Sequence, residues 1–247
     1  MTKHWPKCYY RYLSAYSRVH VLSQKPPATA KKRGRPAKLS RLQILDAAFD
    51  LLQREPSTDI TITGLAKTMK VAPMSLYTHI ENRDDLLESL SNMVLEKLVL
   101  EIDPNDHWQQ QLRGWISSVH NHLYNYPQVV KLLGQNGAIP IRWLGIQAKL
   151  YCILDGLKLD DKTFTDVGRW LARETVALAL LENGMQMSSD QENAGLSQAL
   201  DHMDPEDIAV YQRILPHVSD NRDDSLFNFN VERIIDALVV LEQRANK

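Results

Sequence analysis

The chain has 247 residues, 44% of them hydrophobic and 24% charged, which is enough to bury one or two cores and too ordinary a balance for global disorder. No run approaches the roughly 18 apolar residues of a membrane span, and Arg11 and Arg18 break up the early apolar residues, so no signal-peptide core is expected. The formal net charge of −1 hides an asymmetry: residues 1–41 hold eleven of the 29 Lys and Arg and none of the 30 Asp and Glu, leaving the rest with a net charge of −12.

A basic arm on an acidic body suggests that an anionic polymer meets one end. The arm, residues 1–37, contains Pro26, Pro27, Gly34 and Pro36 and too little apolar surface to pack. Residues 1 to about 25 are open to a second reading, as the product of a start codon placed upstream of the native one.

From Ser40 the pattern turns helical. Leu42, Leu45, Ala48, Phe49 and Leu52 share one face at 3.6-residue spacing until Pro56. Thr61 then caps a short helix that points Leu65, Ala66 and Met69 inward. Lys70 and Val71 make a tight connection, and Pro73 opens the next helix, where its missing N–H costs nothing. Leu76 and Ile80 anchor that helix. Another begins near Arg83, burying Leu86, Leu90, Met93, Val94 and Leu98, and is expected to end before Pro104. Further helices are expected at about 107–125, 128–134, 139–156, 162–185, 205–214 and 229–245, with a polar loop over 186–203. No stretch alternates with period two. The fold is therefore read as all-α, with a three-helix unit over 38–100 and a second helical domain over 101–247.

Two short helices joined by a tight turn are the geometry of a helix-turn-helix, whose second helix enters the major groove. Spacing alone is shared by many helical hairpins. The resemblance to a family is more specific. The runs Ile44–Leu52, Thr61–Ala66, Val71–Ile80 and Asn82–Leu87 resemble the tetracycline-repressor (TetR) family, through a capping Thr before Leu-Ala, a Leu-Tyr-x-His signature and a basic-acidic-acidic-Leu-Leu helix start. Three departures stand out. Lys70 replaces the usual turn glycine, so the turn must avoid a positive φ or bear its cost. Ala72 stands where a capping Ser or Thr is common, and Arg83 stands in for a habitual Lys.

The resemblance implies an N-terminal helix-turn-helix DNA-binding domain and a C-terminal domain that binds an effector and dimerises. Pro73, Met74, Ser75 and Thr78 are placed against base edges, with Ser75 able to donate or accept and Met74 able to meet a thymine methyl. Tyr77, His79, Thr61, Thr63 and Arg83 are placed on phosphates, which fix register and carry no sequence information. Lys31–Pro36 resembles an AT-hook core, so Arg33 and Arg35 are candidates for the minor groove.

The C-terminal part resembles the family less closely, best over Ser225–Leu238. The helices near 162–185 and 229–245 are expected to form a two-fold homodimer interface, which would make the operator an approximate palindrome. His120, Tyr124, Trp143, Tyr151, Trp170 and Arg173 are weak candidates for the effector site, and Trp108, Trp115, His122 and Arg169 lie on the same helices. His120 and His122 point to different helix faces and cannot share a metal.

No catalytic signature, metal-ligand spacing or cofactor motif is present, so neither an enzyme nor a cofactor is expected. Cys8 and Cys152 offer no disulfide framework, which suits the cytoplasm. The function implied is a repressor released from a palindromic operator by a small molecule. The alternative is a helical effector-binding or partner-binding protein with weak or lost DNA binding.

Overall fold

The computed structural model describes residues 39–54, 59–132, 139–184, 200, 203–218 and 224–246. The arm with Arg33 and Arg35, and nearly all of the loop read at 186–203, lie outside them. Among the described residues every regular element is helical. In chain order these are α1 (Arg41–Arg54), α2 (Ile62–Thr68), α3 (Pro73–Tyr77), α4 (Arg83–Leu95), α5 (Trp108–Asn125), α6 (Pro127–Leu132), α7 (Ile141–Leu154), a 3₁₀ turn (Asp155–Leu157), α8 (Asp161–Gly184), α9 (Pro205–Val218) and α10 (Asp224–Ala245).

Two apolar clusters organise them. The first gathers Ile44, Leu45 and Ala48 of α1, Leu65 and Ala66 of α2, Leu76 of α3 and Leu86 and Leu90 of α4. The second is larger and centres on Trp115, Ile116, Leu150, Leu171 and Leu238, from α5, α7, α8 and α10. Trp115 is fully buried, and its indole N–H donates to the Ile146 carbonyl at 2.9 Å, so a large ring is buried without an unpaired donor. The helical rhythm of the sequence produces these cores directly, since buried residues recur at three- and four-residue intervals.

Three boundaries differ from the sequence reading. The fourth helix stops at Leu95 instead of continuing toward Pro104, and Leu98 is buried from the extended segment that follows. That segment lies along α5. The Glu101 N–H donates to Ser118 at 2.9 Å, and its carbonyl sits where a Cβ on Gly114 would be 2.2 Å away, so only glycine admits the approach. α9 continues through Pro216 to Val218, and α10 already starts at Asp224, with no Gly or Pro between that residue and Phe229 to interrupt it.

The two clusters meet at a joint. Phe49 packs against both. The Lys97 ammonium lies 4.6 Å from the centre of the Phe49 ring and 5.9 Å from that of Tyr126, joining α1, the end of α4 and the end of α5. On α5, His122 Nε2–H donates to the Val94 carbonyl at 3.1 Å, a second bond to an acceptor that already takes the Lys97 N–H at 3.1 Å where α4 ends. Burial, with Lys97 nearby, holds His122 below its ordinary pKa against the opposing pull of the Val94 carbonyl.

Candidate nucleic-acid interface and ligand cavity

The sequence builds α2 and α3 as a rigid pair. Thr61, in extended conformation, caps α2 by accepting the Gly64 N–H at 3.0 Å. α2 ends with paired bonds from Val71 N–H to the Ala66 carbonyl (3.0 Å) and from Lys70 N–H to the Lys67 carbonyl (3.2 Å), the Schellman arrangement. It requires a left-handed residue, and Lys70 adopts φ 56°. Of the two outcomes open to the turn, it bears the strain. Ala72 gives α3 no side-chain cap, and Pro73 at the first position leaves one fewer N–H to satisfy.

α3 is one and a half turns long and is held from below. Leu76 and Ile80 are 0% and 1% exposed. On the opposite face Pro73, Met74, Ser75, Tyr77 and Thr78 are exposed, Met74 to 74% and Tyr77 to 49%. Thr61 and Thr63 are exposed beside them, their hydroxyls 3.4 Å apart, and His79 is half-buried. The Thr78 hydroxyl donates to the Ser75 carbonyl at 2.7 Å, so it meets an outside group as an acceptor. Arg83 is partly committed inside the protein. Its Nε–H donates to the Ile60 carbonyl at 2.8 Å, and its Nη2 stands 3.9 Å from Asp59, tying the start of α4 to the segment that leads into Thr61.

One residue that positions this face carries no signal in the sequence. Arg41 counts with the basic arm by composition, yet it opens α1 and, though exposed, reaches across to α4. It donates to the His79 carbonyl at 2.6 Å, pairs with Asp85 and reaches Ser89. Asp85 also accepts the Glu81 N–H at 2.9 Å, and its own N–H donates to the Asn82 cap. Burial alone would raise the Asp85 carboxyl; the bonds from Arg41, Glu81 and Ser89 outweigh it and hold the group below its ordinary pKa. The end of α3 is thereby fastened to α1 and α4 together.

In the larger domain, three of the six effector candidates converge. Trp143, Tyr151 and Arg173 line one cavity of about 520 Å³ between α6, α7 and α8, and Arg169 joins them. Trp170 is 40% exposed and lies outside the lining. His120 belongs to a separate buried group: its Nε2 is 2.6 Å from Glu182, and its ring is 4.2 Å from Phe227 and 6.1 Å from Tyr124. Trp108 is buried with its indole N–H on Glu242. Among the described residues no group of three His, Cys, Asp or Glu is placed to hold a metal, and no helix is long and apolar enough to cross a membrane.

No protein-family model matches the chain. It is 27% identical over 131 residues to the class E tetracycline repressor protein of Escherichia coli, covering 52% of this chain and 62% of that protein. It is 35% identical over 69 residues to an uncharacterised HTH-type transcriptional regulator of Mycobacterium tuberculosis, covering 28% of this chain and 32% of that one. The match spans less than two thirds of either relative. In fold it is similar to ActR of Streptomyces coelicolor without ligand, at a TM-score of 0.68 and 20% identity over 85% of this chain and 100% of ActR. ActR in complex with actinorhodin gives a TM-score of 0.67 at 21% identity, over 83% of this chain and 97% of that one.

Proposed function

We propose that this chain is a dimeric transcriptional regulator of the TetR family that reads DNA with α3 and releases it when a small molecule fills the cavity between α6, α7 and α8. The observation that carries the reading is the exposure of Met74 and Tyr77 on a helix whose other face is sealed by Leu76. A helix-turn-helix enters the major groove by the start of its second helix, and this is the end that α3 leaves exposed.

In this reading Pro73, Met74, Ser75 and Thr78 meet base edges. Tyr77, His79, Thr61 and Thr63 meet the phosphates, and Arg33 and Arg35 of the arm enter the minor groove. Arg83 touches the backbone with what its bond to Ile60 leaves free, and Arg41 holds the assembly in register. The outer faces of α8 and α10, where Leu181, Phe229 and Val240 are exposed, pair across a two-fold axis and set two recognition helices on an approximate palindrome. The chain works in the cytoplasm, and its effect on transcription is repression.

Coupling between cavity and DNA runs through α6. Val130 lines the cavity, while Leu132, on the same short helix, is buried in the DNA-domain cluster. The Asn92 side chain of α4 also accepts the Arg142 N–H at the start of α7, at 3.1 Å. A ligand favouring a displaced α6 therefore favours a displaced α4, and its differential affinity for the two arrangements sets the strength of release.

A gel-shift assay with the DNA upstream of the protein's own gene tests the reading. Tyr77→Ala is expected to weaken binding to all sequences by about tenfold, and Ser75→Ala to change sequence preference. If the intact chain shifts no DNA, the partner-binding alternative takes its place.

A further inference from the structure

The cavity differs in character from one end to the other. Tyr151 of α7 lies over Gly168 of α8, where an added Cβ would come within 2.2 Å of its ring. The short link through the 3₁₀ turn makes the two helices antiparallel, so this contact fixes their register. At the Tyr151 end, Gln147, Arg169 and Arg173 line the wall. One to two turns further, the lining becomes Trp143, Val176 and Leu180, with Val130 and Ile139 closing the far side.

Among the described residues, every formal charge lining this cavity is positive. No Asp or Glu lines it, and neither Arg169 nor Arg173 has an ion-pair partner among the described residues. The nearest acid in sequence to Arg169 on the same helix face, Asp166, is taken by Lys162 at 2.7 Å. This stands out in a body whose net charge beyond residue 41 is −12. Two exposed arginines one helical turn apart, lining an otherwise largely apolar slot, complement an oxyanion attached to a flat apolar body.

Resting on the reading of this cavity as the effector site, we propose that its ligand is an amphipathic acid: an aromatic or fused-ring body against Trp143, with a carboxylate or sulfonate held by Arg169 and Arg173. The rise from Trp143 to Tyr151 along α7 is about 12 Å, the length of two or three fused rings. A volume of about 520 Å³ lies within the range of small-molecule sites.

The test compares two dyes on the full chain by fluorescence titration: 8-anilinonaphthalene-1-sulfonate, and N-phenyl-1-naphthylamine, the same ring body without the sulfonate. The sulfonate is expected to bind at least about tenfold more tightly. R169Q/R173Q should bring the ratio close to one, and Trp143→Ala should weaken both dyes. Equal affinities in the wild type, a ratio that survives R169Q/R173Q, or binding indifferent to Trp143→Ala overturns the proposal. Because the titration uses no DNA, it is independent of the gel shift. A chain that binds no operator yet keeps the arginine-dependent preference retains acid binding and loses only the effector role.

Discussion

Lys70 carries the backbone strain of the α2–α3 pair. Its φ of 56° is imposed by the Schellman bonds that close α2, and an L residue there costs on the order of 1 kcal/mol relative to glycine. Lys70→Gly should therefore stabilise the fold by about 1 kcal/mol, raising the thermal midpoint by about 2–4 °C for a chain of this size. A calorimetric scan showing no rise, or a fall, would mean that the lysine stem makes a compensating contact. The exposed face of α3 was legible in the sequence because everything that defines it is local: Pro73 starts the helix, and Leu76 and Ile80 turn the remaining side chains outward. Arg41 was not legible, because its partner Asp85 lies 44 positions along the chain and only the packing of α1 on α4 brings them together. For the same reason the family resemblance could nominate Arg83 for the DNA backbone without showing that Ile60 already claims its Nε.

At the scale of elements, periodicity marked the helices well and their ends less well. The premature end of α4 is the instructive case, because nothing between Leu95 and Pro104 breaks a helix by composition. Its end is set by α5, through the His122 bond to Val94 and the cleft that Gly114 opens for Glu101. This joint should respond to acid. The folded-state pKa of His122 is depressed, so its contribution is present when the ring is neutral and declines as pH falls through the unfolded value near 6.5 toward the lower folded value. A charged imidazole would be forced beside Lys97 in a half-buried site. Thermal midpoints measured from pH 7.5 to 5.5 should fall more steeply for the wild type than for His122→Gln, whose amide can still donate to Val94 and does not titrate. Coincident pH profiles for the two proteins would remove His122 from the account.

At the scale of the molecule, the charge distribution and the proposed two-fold assembly make a joint prediction. The basic arm precedes an acidic body, so any attraction to DNA beyond that proposed for α3 resides at one end of each proposed subunit. Pairing two subunits doubles the number of phosphates neutralised on one site, and the slope of log affinity against log salt scales with that number. Removing residues 1–36 should flatten the slope while leaving the dimer intact. Leu181→Glu should act differently. Leu181 is 55% exposed on α8, and in a symmetric interface it meets its own mate or the partner's α10, so a carboxylate placed there is buried twice. Analytical ultracentrifugation should then show a monomer whose far-ultraviolet spectrum is unchanged. That monomer should still contact a half-site, with about half the salt slope and far weaker affinity, because linking two weak sites is what makes the palindrome tight. A Leu181→Glu chain that stays dimeric would move the interface elsewhere. One that becomes monomeric and binds the operator as tightly as before would show that recognition does not depend on the two-fold axis.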